Sequence, residues 1–395
     1  MSIDKYYSQT SMGEIYSSRM KNVDLPSLKI ELTQRCNNRC IHCYNNLAAE
    51  NKELENKELP TSEFRNIIFE AVELGCMSIL FTGGEPLLRS DFLDLYIFSR
   101  RLGLSVTIFT NATLITQDHI SLFSKVPPLN PIEVTLYGMT KGTYEEVSRI
   151  PGSYDAAIKG IKLLAEACIP FIIKGAFVGN NRNEIPEFDS WVSSLGHMNG
   201  ALPTFSIFFD LRVRRDSESK NSRIESLRPA AKQALEFLTR NEDEFLAEIK
   251  SFCSQFATPP GLKLLGCEAG SKSISVDPYG MGYPCLLLRH PDFSYDLLKG
   301  SLKCALDQFK FKAAEMSAQP GSEYDQRCAK CFLKSLCQQC PARSWIEHGT
   351  LDSPVEYHCQ ITHAQAVYLG LITEGEKLWE VPDWKTRLST FIEKS

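Results

Sequence analysis

Along the first half of the chain, short apolar runs rich in β-branched residues alternate with longer segments whose apolar positions recur at helical spacing. That alternation is the pattern of successive βα units around a parallel sheet. Six runs predict strands: about 28–33 (LKIELT), 77–82 (MSILFT), 104–109 (LSVTIF), 131–136 (PIEVTL), 170–178 (PFIIKGAFV) and 203–209 (PTFSIFF). The clearest helix between them starts at Pro60-Thr61-Ser62, where a hydroxyl is placed to cap the first turn. It carries Phe64, Ile67, Ile68, Ala71, Val72 and Leu74, and stops at Gly75. A second helix is expected from Ser90 to Gly103. Six βα units are two short of a closed eight-stranded barrel, so the expected α/β fold is an open, partial (β/α)6 TIM-like barrel. Its active edge would lie at the C-terminal ends of the strands.

After the sixth run a polar, charge-mixed stretch from Asp210 to Arg228 leads into a helix expected at about 229–252. From 263 onward Gly, Cys and short runs dominate, as in a small domain stapled by metal. The expected organisation is an N-terminal extension (1–27), a barrel (28–225), a linker helix (226–262), a cysteine-rich domain (263–365) and a C-terminal tail (366–395). A length of 395 residues suits a barrel plus an appendage. The formal charge of -5 gives no basic excess, which argues against nucleic acid or an anionic membrane as the main partner. No 18-residue apolar run occurs and MSIDKYYSQTSMGEIYSSRM lacks a hydrophobic signal core, so a cytoplasmic protein is expected.

Fourteen cysteines in such a chain need a reason, because a reducing compartment rarely keeps structural disulfides. They are bunched. Cys36, Cys40 and Cys43 form one group; Cys267, Cys285, Cys328, Cys331, Cys337, Cys340 and Cys359 form a second. Three thiolates at CxxxCxxC spacing suit three irons of a four-iron, four-sulfur cluster and leave one iron open for chemistry. A zinc loop is the alternative, but structural zinc takes four ligands and only His42 stands nearby as a fourth.

At these residues the chain resembles the radical S-adenosylmethionine superfamily. Gly83-Gly84-Glu85-Pro86 after the second strand resembles the family's GGEP motif, where glycines let the backbone approach the cofactor's amino group. Thr110-Asn111 after the third strand resembles the polar site for ribose or carboxylate, and Arg149 falls near a position often used for the carboxylate. A turn, an Asn cap and a solvated charge are the respective plain readings of these groups. The resemblance implies that an electron from a reduced cluster cleaves S-adenosylmethionine to methionine and a 5′-deoxyadenosyl radical, which takes a hydrogen atom from substrate. The protein holds and aims the cofactor and excludes quenchers.

In the second group, Cys267 is followed by twelve residues, Gly280, four residues and Cys285; then come Cys328-x2-Cys331-x5-Cys337-x2-Cys340 and Cys359. A zinc ribbon on Cys328, Cys331, Cys337 and Cys340 is one reading. The whole pattern resembles the SPASM domain, apart from a final gap of two residues where the consensus has three. That resemblance implies two auxiliary clusters, three 4Fe-4S clusters in all. Cys328, Cys331, Cys337 and Cys359 would bind the outer one; Cys267, Cys285 and Cys340 would bind the inner one, with Cys253 or an open iron completing it. Cys76, Cys168 and Cys304 read as packing residues.

The family implies a peptide substrate, as in oxidative cross-linking of ribosomally made precursor peptides, and an electron donor such as flavodoxin or ferredoxin. About 27 residues precede the first strand, which points to peptide recognition by a separate protein or by the barrel and linker surface. An anaerobic sulfatase maturase has an aspartate after the GX4C cysteine where this chain has Leu286. A sugar or cyclitol dehydrogenase stays open, and a non-catalytic iron–sulfur carrier is the reading from another class. Tyr137, Lys174, Asp210 and Arg212, at strand ends, are the candidates for a catalytic acid or base.

Overall fold

A computed structural model of the chain describes residues 23–195 and 203–393, so most of the expected N-terminal extension lies outside the described residues. The chain divides into two compact units, one containing residues up to Ile224 together with Ala269–Phe311, the other Glu225–Glu268 together with Lys312 onward.

The first unit is built on six parallel strands in chain order: β1 (Ser27–Thr33), β2 (Ser78–Gly83), β3 (Ser105–Thr110), β4 (Ile132–Thr135), β5 (Phe171–Ala176) and β6 (Thr204–Ser206). All six expected runs become strands, and the order is that of a partial barrel. Alternation within the strands sorts the side chains. Val106, Ile108, Ile132, Val134 and Ile173 are buried, while Phe109, Glu133, Thr135 and Lys174 between them remain partly open. Helices α1 (Thr61–Glu73), α2 (Phe92–Arg101), α3 (Gln117–Lys125), α4 (Lys141–Ser148), α5 (Ser153–Glu166) and α6 (Ile185–Ser194) connect the strands.

Three local expectations change. Pro60 is the N-cap residue of α1 and no side chain caps it, because the Thr61 hydroxyl instead donates to Asp91 at 2.6 Å. Asp91, also held by Arg89 at 2.7 Å, precedes α2, so that helix starts at Phe92 rather than at Ser90. The polar stretch after β6 holds a helix, α7 (Glu218–Leu227), hidden from pattern reading because Ile224 is its single buried residue.

The largest departure concerns the expected cysteine-rich domain. Strand β7 (Ser273–Val276) pairs in parallel with the outer edge of β1, and the antiparallel strands β8 (Met281–Tyr283) and β9 (Tyr295–Asp296) extend the same sheet. An unpaired β1 edge would expose a row of backbone donors and acceptors, and β7 satisfies it. Arg289 reinforces the join: its buried guanidinium lies 2.7 Å from Glu31 of β1, 3.7 Å from Asp277, and over the Tyr283 ring. Residues 269–311 therefore belong with the barrel, and a boundary at 263 does not describe the compact units.

In the second unit the expected helix at 229–252 is two helices, α8 (Ala231–Leu238) and α9 (Glu242–Phe256). The helix restarts where Glu242, Asp243 and Glu244 fill a first turn, a favourable place for negative charge. The expected C-terminal tail is core: Leu371, Ile372, Leu378, Leu388 and Phe391 pack with Phe245, Ile249 and Cys253. No helix among the described residues is long and apolar enough to cross a membrane.

Candidate active site

The loop leaving β1 carries Cys36, Cys40 and Cys43 across the C-terminal end of the barrel, and each part of it is tied down. At its start, Arg35 forks onto Glu58 with bonds of 2.9 and 3.1 Å. In its middle, the backbone amides of Arg39 and Ile41 donate to the carbonyls of Ser148 and Val147 at the end of α4. At its end stands Arg212, which is fully buried. The Arg212 guanidinium donates to the Cys43 carbonyl at 3.3 Å and to the Asn46 carbonyl at 3.2 Å, and forks onto Asp216 at 2.9 and 3.0 Å. Arg214 shares Asp216 and donates to the Asn45 side chain at 2.6 Å and to the Asn45 carbonyl at 2.8 Å. The two arginines hold the Asp216 carboxyl well below the ordinary carboxylate range against the opposing effect of burial.

Beside the loop, Gly83 and Gly84 bring backbone tight against backbone. Gly84 donates to the Thr33 carbonyl at 2.7 Å, and a Cβ on Gly84 would sit 2.2 Å from the Arg35 carbonyl oxygen. At Gly83, where φ is +136°, a Cβ would sit 1.9 Å from the Thr33 carbonyl oxygen. Only glycine fits at either position. Glu85 points away from the cavity: it accepts from the Leu87 amide, the Thr110 hydroxyl and the Asn111 amide at 3.1, 2.8 and 2.8 Å. Burial pushes its carboxyl up to about 7. Glu85 is thus the strap that sets Thr110 and Asn111, whose side chain in turn reaches Asn37 at 2.9 Å and the Cys36 sulfur at 3.8 Å.

These pieces enclose a cavity of about 520 Å³, within the range of small-molecule and cofactor sites. Cys36, Cys40, Cys43, Gly83, Gly84, Thr110 and Asn111 line one part of it. Glu133, Thr135, Tyr137, Lys174 and the aromatics Phe205, Phe208 and Phe209 line the rest. Lys174 pairs with Glu133 and lies over the Phe109 ring. His42 packs edge-on against Tyr137, and burial pushes its imidazole down to about 4, so it is neutral at physiological pH.

The donors fit a thiolate-held cluster. Backbone amides of Asn38 and Asn46 donate to the sulfurs of Cys36 and Cys43 at 3.4 and 3.3 Å. Burial pushes the Cys40 thiol up to about 12, a cost that a bound metal's charge reverses. Among the described residues no three His, Cys, Asp or Glu side chains converge closely enough for a single metal ion. In the second unit Cys328, Cys331, Cys337 and Cys359 line one cavity with Lys334, His363 and Trp379. Burial pushes the Cys328 thiol up to about 12 and the Cys359 thiol up to about 11, and Arg327 donates to the Cys359 sulfur at 3.6 Å.

The remaining expected residues scatter. Tyr137, Lys174 and Asp210 face the barrel cavity, but Arg212 does not; it is a buried clamp on the cysteine loop. Pro86 starts a short helical turn after Glu85. Arg149 lies at the left-handed end of α4 and lines a different cavity from Gly83 and Asn111. Cys253 sits in an apolar core with Phe245, Ile249 and Cys331. Cys285 lies in the first unit; Cys267 and Cys340 lie in the second. Sequence reading missed Glu133, although a charged residue between the buried Ile132 and Val134 of a parallel strand signals an inward-facing group.

Residues 30–192 match the family model of the Radical SAM superfamily. They form a radical S-adenosylmethionine domain. The chain is an enzyme of that type, and the family implies a 4Fe-4S cluster. Among curated relatives, an AdoMet-dependent heme synthase of Methanosarcina barkeri is 24% identical over 341 residues, covering 81% of this chain and 92% of the relative. A PqqA peptide cyclase of Gluconobacter oxydans is 28% identical over 170 residues, covering 43% of this chain and 46% of the relative. Among solved structures, native anSMEcpe with bound AdoMet and Cp18Cys peptide has a TM-score of 0.59 at 13% identity, covering 92% of this chain and 99% of that one. At that identity the likeness is one of fold.

Proposed function

We propose that the chain is a radical S-adenosylmethionine enzyme that oxidatively modifies a peptide, with a ribosomally made precursor as the substrate class. The observation that carries this reading is the convergence of Cys36, Cys40 and Cys43 with Gly83, Gly84, Thr110 and Asn111 on one barrel cavity, whose far wall is polar and aromatic. When bound, the cluster and S-adenosylmethionine supply the radical chemistry. The chain's own residues do the positioning. Gly83 and Gly84 leave room beside the loop, Glu85 fixes Thr110 and Asn111, and Tyr137, Lys174 with Glu133, and Asp210 face the substrate. Peptide as substrate is supported by the cyclase relative and by the peptide-bound structure of like fold.

Two auxiliary clusters are part of the proposal. The outer one draws on Cys328, Cys331, Cys337 and Cys359, supported by their shared cavity. The inner one is proposed on the resemblance to the SPASM domain. A cytoplasmic location and a flavodoxin- or ferredoxin-type donor complete the reading.

A second reading, a tetrapyrrole substrate, is favoured by the heme synthase relative, which aligns over most of both chains. Anaerobic incubation with S-adenosylmethionine and candidate peptides encoded beside the gene, followed by mass spectrometry, separates the two. Loss of hydrogen mass from a peptide supports the first reading. Turnover of a porphyrin with untouched peptides refutes it.

A further inference from the structure

The cysteine loop lines two cavities. Asn38, Cys40, Cys43 and Asn46 line the barrel cavity, and the same four residues line a second cavity of about 310 Å³. The other residues of this second cavity include four exposed cations and no carboxylate: Arg39, Arg149, Lys220 and Arg223. They come from three elements. Arg39 is on the loop itself, Arg149 ends α4, and Lys220 and Arg223 stand three residues apart on α7, on one helix face. The nearest counter-charge to Arg39 is Glu50 at 3.7 Å, itself 74% exposed. Arg149 holds φ at +59°, a conformation usually left to glycine at a helix end and costing an L residue roughly 1 kcal/mol. A cavity lining whose charged side chains are all cationic, in a chain of net charge -5, is a local feature and not a reflection of composition.

We propose that this face docks an acidic one-electron donor protein and that electrons enter the cluster through the loop segment bearing Cys40 and Cys43. The inference rests on the radical S-adenosylmethionine reading and names a partner for it. Exposed cations on separate elements bind a small anion poorly, since each is screened by solvent. Together they steer and orient a large acidic surface, where summed potential sets encounter rate and register. Each docking event oxidises the donor by one electron and reduces the cluster by one, with no atom or proton exchanged. Glu133, Tyr137, Lys174 and Asp210 line the barrel cavity and not the second one, so a docked donor leaves the substrate's place free.

The test uses the reconstituted holoenzyme and reduced flavodoxin as the acidic probe, with the double variant Lys220→Glu/Arg223→Glu and the milder Lys220→Gln/Arg223→Gln. Affinity is read by titration at low salt, and 5′-deoxyadenosine formation is read with flavodoxin and, separately, with photoreduced deazaflavin, a small reductant without an acidic face. Charge reversal is expected to weaken flavodoxin binding on the order of tenfold, with neutralisation in between. The difference should shrink as salt shortens the screening length, and deazaflavin-driven formation should stay at the wild-type rate. Affinity of the reversed variant within twofold of wild type would overturn the proposal; so would an equal loss with both reductants at unchanged affinity. A wild-type chain that binds flavodoxin but makes no 5′-deoxyadenosine with deazaflavin refutes the proposed function, not the docking face.

Discussion

Replacing Arg212 by Met should release the end of the cysteine loop while leaving the barrel standing. The wild-type guanidinium makes five hydrogen bonds: two to Asp216, two to the carbonyls of Cys43 and Asn46, and one to the Asn46 side chain. Bonds to a charged group contribute roughly 1.5–3 kcal/mol each and are not additive, and removing one partner of a buried ion pair costs about 3–5 kcal/mol. Arg214 remains on Asp216, and that carboxylate is 33% exposed, so the low end applies, about 3 kcal/mol. A cost of about 3 kcal/mol raises the open population roughly a hundredfold. The assay is hydrogen exchange at the Leu47 amide, which donates to the Gln34 carbonyl, and at the Val213 amide, which donates to the Tyr44 carbonyl. Both should exchange about a hundredfold faster, while amides of β2 and β3 hold their rates. Arg212→Lys should rescue little, because an ammonium does not span both the carbonyls and Asp216. Unchanged exchange at Leu47, or acceleration spread evenly over the barrel, would refute the clamp.

Four further outcomes follow from other residues. Gly84→Ala, with its Cβ 2.2 Å from the Arg35 carbonyl oxygen, should abolish S-adenosylmethionine binding by titration calorimetry or cost more than about 3 kcal/mol in denaturant melts. Glu85 holds its proton up to about pH 7 when folded, so the folded state binds more protons than the unfolded one between about pH 4.5 and 7, and stability falls as pH rises through that window. The loss is on the order of 3 kcal/mol relative to Glu85→Gln in the same cluster state, and parallel pH profiles for the two proteins would contradict it. The Cys328→Ala/Cys331→Ala variant should lose about four irons per chain yet still release 5′-deoxyadenosine, with substrate oxidation gone; full turnover would argue against any part for the outer cluster in substrate oxidation. Lys174→Met, which leaves Glu133 without its cation in the cavity, should lower peptide product at least tenfold while cofactor cleavage without peptide continues.

Much of the first unit was legible because the evidence for it is local. All six runs became strands, since a parallel strand buried on one side reads as a β-branched stretch bounded by turns, as at MSILFT and PIEVTL. The loop of Cys36, Cys40 and Cys43 and the glycines at 83 and 84 were legible for the same reason, since their chemistry lies in adjacent residues. What escaped depends on partners far apart in sequence. Ser273–Val276 is four residues long, and only its pairing with β1 makes it a strand of the barrel sheet. Arg212 looked like a strand-end acid or base because it follows the sixth strand, but its meaning lies in carbonyls 166 and 169 positions away. Phe391 falls in the expected C-terminal tail, and only Phe245 and Ile249, far away in sequence, make it part of a core.

The central claim is that Cys36, Cys40 and Cys43 hold a cluster whose electron cleaves S-adenosylmethionine. Its most direct test is quantification of 5′-deoxyadenosine from the anaerobically reconstituted, chemically reduced chain, beside Cys40→Ala. The wild type should yield methionine and 5′-deoxyadenosine in equal amounts, and Cys40→Ala none. Equal background levels from both proteins, with iron and sulfide fully loaded in the wild type, would contradict the account.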